Sequence, residues 1–116
     1  MDGIPKFQIL KDFSGEQVFL NIIGYLDAHT APDLEIALKE SMEKGKYNIV
    51  VDFEKLDYIS SAGFGVFMEF IEEIRQKNGD IKLIAMNSKI RHLFNILGFD
   101  VLFEIYNDKN QLLGNN

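Results

Sequence analysis

The stretch Asn48-Ile49-Val50-Val51-Asp52-Phe53-Glu54-Lys55-Leu56-Asp57-Tyr58-Ile59-Ser60-Ser61-Ala62-Gly63-Phe64-Gly65-Val66 decides the fold. Asn48 to Phe53 is a near-continuous apolar run with Ile49-Val50-Val51 at its centre, the pattern of a strand covered on both faces within a partly parallel sheet. Ser60-Ser61-Ala62-Gly63 then opens a helix reaching about Lys77, in which Phe64, Phe67, Met68, Ile71 and Ile74 share one apolar stripe. Val66 and Phe70 fall off that stripe. They are expected either to face outward beside the serines or to pack against a neighbouring helix.

Working outward, Phe7 to Leu10 and Glu16 to Gly24 read as two strands joined by Asp-Phe-Ser-Gly, with Val18, Leu20 and Ile22 alternating onto one face. Such a pair is an antiparallel hairpin. Thr30 is expected to cap the next helix, with Asp33 completing a capping box, and Gly45 to end it. Beyond Asn78-Gly79-Asp80, Ile81 to Met86 is strand-like. Asn87 or Ser88 caps a third helix with Ile90, Leu93, Phe94 and Leu97 inward, Gly98 stops it, and Val101 to Tyr106 is a last strand. Residues 107–116 read as a polar, frayed tail. The order β-β-α-β-α-β-α-β predicts an α/β chain: a mixed β-sheet opened by an antiparallel hairpin, with helices packed on it, as a single domain over residues 1–116.

Composition narrows the function. The chain has 116 residues, 47% hydrophobic and 26% charged, with 2 prolines and 9 glycines, so it is neither disordered nor fibrous. Without cysteine there is no disulfide framework and no thiolate metal site. The start MDGIPKFQ lacks the basic-then-apolar layout of a secretory signal, and a cytoplasmic location is expected. The net charge of −6 repels nucleic acid and anionic lipid, so neither is expected as a partner. The basic pairs Lys44/Lys46 and Lys89/Arg91 are too thin for a phosphate track.

Enzyme patterns fail one by one. A nucleophile elbow needs Gly-x-Ser-x-Gly, and Tyr58-Ile59-Ser60-Ser61-Ala62-Gly63 lacks the first glycine. His29 and His92 have no supporting acid cluster, so no metal site is expected. Gly63-Phe64-Gly65 starts like a dinucleotide loop, but Met68 stands at the third glycine. Asp52 ends a buried strand in the manner of an aspartyl phosphoacceptor, yet the opening hairpin is the wrong topology for that role.

Two places remain. A serine hydroxyl at the start of the second helix sits over unpaired N–H groups and the positive end of the helix dipole, where an anion is tolerated. Ser60 or Ser61 either caps the helix or carries a phosphate worth about −1.5 to −2 charges. Asp27, between a strand and a helix and beside Tyr25 and His29, either solvates its turn or, if the two loops meet, orients the Ser61 hydroxyl.

Three segments together resemble the STAS domain family, in particular its stand-alone bacterial anti-sigma factor antagonists. They are Gly24 to Leu34, with its Gly-x-Leu-Asp and Thr-Ala; Ile49 to Val66, with its acceptor-loop serines; and Leu93 to Tyr106. The resemblance implies a non-enzymatic switch without a cofactor. A partner anti-sigma factor serine kinase, which also holds a sigma factor inactive, phosphorylates one loop serine, and a PP2C-type phosphatase reverses it. ATP and Mg²⁺ would belong to the kinase. By motif position the acceptor is Ser61, with Ser60 as the alternative. Asp27, Ala62 and Gly63 would be its neighbours, and Tyr25, Thr30, Phe64, Val66 and Phe70 the partner-binding candidates. Two residues depart from the pattern: Ser60 stands where the family often has an acid, and Ala62 where it often has a second serine. The family's C-terminal helix is barely represented after Asp108. The alternative is a STAS scaffold or transporter accessory subunit in which the serine only caps its helix.

Overall fold

The computed structural model describes residues 6–114. Strands β1 (Gln8–Asp12) and β2 (Gln17–Leu26) form the expected antiparallel hairpin, followed by α1 (Ala31–Glu43), β3 (Asn48–Asp52), β4 (Leu56–Ile59), α2 (Ser61–Gln76), β5 (Asp80–Ile84), α3 (Ser88–Leu97), β6 (Ile105–Tyr106) and α4 (Lys109–Leu113). The sheet runs β1-β2-β3-β5-β6, parallel from β2 onward, with β4 paired to β2 off this path.

Because each crossover from β2 to β3 to β5 to β6 steps the same way across the sheet, right-handed connections put α1, α2 and α3 on one face. Val18, Leu20 and Ile22 of β2, Ile49 and Val51 of β3, and Ile81 and Leu83 of β5 point to that face and join one buried cluster with the helices. Val50 and Ile84 are also buried but lie outside the cluster, on the opposite face. Aromatic rings knit the helix layer to the sheet: Phe53 lies 5.9 Å from Phe67 and 5.8 Å from Phe94, and Phe64 lies 4.7 Å from Phe94 and 4.9 Å from Phe99, distances at which edge and offset contacts are favourable.

Gly24 sets the topology near the site. Its φ of 95° is a left-handed conformation that only glycine adopts cheaply, and the register between β2 and β4 shifts between Gly24 and Tyr25. Residues up to Asn21 pair with β3, whereas Gly24 to Leu26 pair with β4. The edge of β2 away from β1 thereby serves two partners, and its end is turned toward the start of α2.

Several expectations need correction. β4 was not anticipated: its four residues bury Leu56 and Ile59 at the ends and expose Asp57 and Tyr58 between them, so no period of two is visible. The last strand is only Ile105–Tyr106, because Phe99–Val101 turns as a 3₁₀ helix. Leu97, expected inward, is exposed. The tail is not frayed from Asn107: Asp108 accepts a hydrogen bond from Gln111 N at 2.8 Å and caps α4, while residues 115–116 of that tail lie outside the described residues. The expected cap at Asn87 is present, accepting from Ile90 N at 2.8 Å, and Gly98 ends α3 at φ 78°.

Candidate functional site

The site lies where β2 and β4 end side by side. Leu26 pairs with Ile59, and Ser60 N donates to Leu26 O at 2.9 Å, so the Asp27 loop and the serine loop begin next to each other. On the outer side of this ribbon the paired residues Tyr25 and Tyr58 bring their rings to 5.6 Å. On the inner side, Leu26 and Ile59 form the floor on which the first turn of α2 sits. Gly63 makes that seating possible: a Cβ there would fall 2.8 Å from Leu26 Cγ and 3.0 Å from Ile59 Cγ1.

The two serines differ sharply. Ser60 occupies the cap position of α2, but its side chain caps nothing, and its Oγ is buried without a hydrogen-bond partner. Ser61 is the first helical residue and is exposed. Phe64 N is satisfied by Ser60 O at 3.1 Å, whereas the N–H groups of Ser61, Ala62 and Gly63 precede the intrahelical ladder and face the loop as free donors.

One oxygen of the Asp27 carboxylate braces its own loop: Oδ1 accepts from His29 N at 3.0 Å and Thr30 N at 3.1 Å. Among the described residues no hydrogen bond joins Asp27 to Ser61, although their loops are neighbours. Thr30 does not form the expected capping box. Its hydroxyl donates to Tyr25 O at 2.7 Å and accepts from Asp27 N at 2.9 Å, bracing the loop instead of the helix end.

Of the partner-binding candidates, Phe64, Val66 and Phe70 are buried, at 4%, 4% and 6% exposure. The reason is that α2 is the middle helix, flanked by α1 and by α3 with its 3₁₀ extension, so its buried arc is wider than one stripe. Phe64 packs on Phe94 and Phe99, and Phe70 borders a groove with Met42 and Tyr47. What α2 presents instead is Ser61, Gly65 and Met68, followed by Glu69 and Glu72. Met68, placed in the stripe from its spacing, is exposed. Gly65 has nothing within 4 Å of a notional Cβ and leaves an open notch one turn after Ser61. Tyr58 and the apolar run of Ile96, Leu97, Val101 and Leu102 were also missed as surface features; all are exposed. Tyr58 alone carried a signal, since it follows Asp57 in a segment bracketed by Leu56 and Ile59.

Among the described residues no group of three or more His, Asp or Glu side chains is arranged to hold a metal, and no helix is long and apolar enough to cross a membrane.

The STAS domain family model matches residues 8–112, and the chain belongs to that family. Its relatives include the anti-sigma-B factor antagonist of Listeria monocytogenes, 28% identical over 92% of this chain and 94% of that protein. The protein BtrV of Bordetella bronchiseptica is 34% identical over 74% of each chain. The structure is similar to an anti-sigma factor antagonist from Mycobacterium paratuberculosis, with TM-score 0.83 and 20% identity over 94% of this chain and 92% of that one. It is also similar to the Bacillus protein SpoIIAA in its phosphorylated form, with TM-score 0.70 and 20% identity over 95% and 98% of the two chains. At these identities the structural likeness establishes the fold.

Proposed function

We propose that this chain is a cytoplasmic, phosphorylation-controlled antagonist of an anti-sigma factor. Unphosphorylated, it binds a serine kinase that sequesters a sigma factor; phosphorylated on Ser61, it releases that kinase, and a PP2C-type phosphatase resets it. The observation that carries this reading is the asymmetry of the serines. Ser61 is exposed over the free donors of a 16-residue helix, while the Ser60 oxygen is buried and out of reach of a phosphoryl donor.

The partner surface in this reading is the rim of Ser61, Gly65 and Met68 with the Tyr25/Tyr58 pair, since these are the residues that reach solvent around the hydroxyl. A phosphate adds about −1.5 to −2 charges at the centre of that contact. A charge set against an unmatched or like-charged surface costs several kcal/mol, which is a loss of roughly 100-fold or more in affinity.

The test is intact-mass and phosphopeptide analysis of the chain from its own host, with Ser60→Ala and Ser61→Ala variants, and a pull-down comparing Ser61→Asp with Ser61→Ala. Phosphate on Ser61, lost in Ser61→Ala and kept in Ser60→Ala, together with loss of a kinase from Ser61→Asp alone, is the expected result. An unphosphorylated chain whose partners are the same for both variants would instead make it a constitutive STAS scaffold.

A further inference from the structure

The sheet face that carries none of the long helices holds a second feature. Alternation along the strands puts Asp12, Phe19 and Val50 in one cross-strand row of this face, and Leu10, Asn21, Asp52 and Ile84 in the next. α4 folds back over it, burying none of its own residues. Its Lys109 places Nζ 4.2 Å from the centre of the Phe19 ring, within the range of a cation–π contact.

Lys109 divides what is otherwise one groove. On one side lie Leu10, Lys11, Asp12, Phe19 and Asn21; on the other lie Glu54, Ala85, Met86 and Asp108; Asp52 and Ile84 border both. Ala85 stands there at φ 63°, a conformation that costs a non-glycine residue energy and is over-represented where a site is being shaped. Four carboxylates, Asp12, Asp52, Glu54 and Asp108, line the groove. Other cations stand nearby but have partners of their own: Lys11, which also lines the groove, pairs with Glu40 at 2.5 Å, Lys82, opposite Val50 in the first row, lies 3.7 Å from Glu104, and Lys46 donates to Phe13 O. The Lys109 ammonium is therefore set against an excess of negative charge, on an aromatic floor, and held by a five-residue helix with no buried anchor.

We propose that this groove is a second binding site, separate from the Ser61 surface, for a basic segment of a partner protein, and that a Lys or Arg of that segment takes the seat which Lys109 fills in the free chain. The groove's charge selects the occupant: its acids complement a basic peptide and disfavour an acidic one. Lys109 then acts as a tethered competitor. While it holds the seat, the binding-competent fraction is reduced and the apparent affinity falls in proportion.

The test uses the full chain, ¹⁵N-labelled, titrated at low salt with an acetylated and amidated tetralysine peptide. Lys109→Ala is compared with Lys77→Ala, which makes the same charge change at the exposed end of α2. The expected result is shifts concentrated at residues 10–12, 19–21 and 50–52, affinity raised about threefold or more by Lys109→Ala but not by Lys77→Ala, and affinity lowered by the isosteric Asp52→Asn. Equal effects of the two lysine variants would reduce the binding to net charge and overturn the proposal. So would shifts gathered on Glu69, Glu72 and Glu73 of α2. None of these readouts involves Ser61, so the outcome is independent of the phospho-switch.

Discussion

Adding one methyl group at Gly63 and one at Gly65 should move stability in opposite directions. Both residues lie in the first turns of α2, where alanine is the better helix former by up to about 1 kcal/mol. At Gly65 the new Cβ meets nothing within 4 Å, so Gly65→Ala should collect about 0.5–1 kcal/mol. At Gly63 it would sit 2.8 Å from Leu26 Cγ and 3.0 Å from Leu26 Cδ2 and Ile59 Cγ1. Leu26 and Ile59 are 0% and 2% exposed and have no room to swing away. Overpacking of this kind costs about 1–3 kcal/mol, and after a propensity gain of about 0.5–1 kcal/mol a loss of roughly 0–2.5 kcal/mol remains. Unfolding entropy of about 2.1 cal/mol/K per residue makes 1 kcal/mol worth roughly 4 °C for this chain length. Thermal unfolding followed by circular dichroism should therefore place Gly63→Ala below the parent, by up to about 10 °C, and Gly65→Ala about 2–4 °C above it. Adding Leu26→Ala should then cost less in the Gly63→Ala background than in the parent, because the offending branch is gone. Two shifts of the same sign would refute the claim that the helix start is seated on the Leu26–Ile59 floor.

Three further outcomes follow from individual contacts. Ser60→Ala should leave stability within about 0.5 kcal/mol, since the hydroxyl caps nothing; a loss of about 1 kcal/mol in denaturant titration, typical of a removed cap, would show that it does cap. Thr30→Val, close in shape, deletes the hydrogen bonds to Tyr25 O and from Asp27 N and should cost about 1–3 kcal/mol, with faster amide exchange confined to residues 25–30. Asp12 should titrate below the usual carboxylate value of 3.8, chiefly because Ser14 Oγ and then Ser14 N donate to it. A carboxyl with a depressed folded-state pKa stabilises the fold above its unfolded-state pKa and loses that contribution as pH falls through the folded value. In a ¹³C carboxyl titration Ser14→Ala should move Asp12 back up toward 3.8; an unmoved titration would mean the hydroxyl is not the cause.

Much of this chain was legible because its signals are local. The cap of Asn87, the left-handed stops at Gly45 and Gly98, and the alternation of Val18, Leu20 and Ile22 depend on a few neighbouring residues, and all are present. The reading failed where the deciding contact came from elsewhere in the chain. Thr30 looked like a cap from its place before a helix, yet Tyr25 O five residues back captured its hydroxyl. Phe70 leaves the main stripe, so spacing alone left it either facing outward or packed on a neighbouring helix; the structure buries it beside α1.

The sequence by itself determined the order of elements other than β4 and α4, the antiparallel start and the placement of two serines at the opening of a helix, since each follows from hydropathy period and turn chemistry. Only the tertiary structure decided that β4 pairs with the end of β2, that α2 is the central helix, and that Ser61 rather than Ser60 meets solvent. Periodicity identifies one buried face of a helix, but the number of neighbours fixes how wide that face becomes, and neighbours are set by the assembled sheet. The same assembly folds Lys109 back onto Phe19, a contact between residues 90 positions apart that no local pattern in the chain announces.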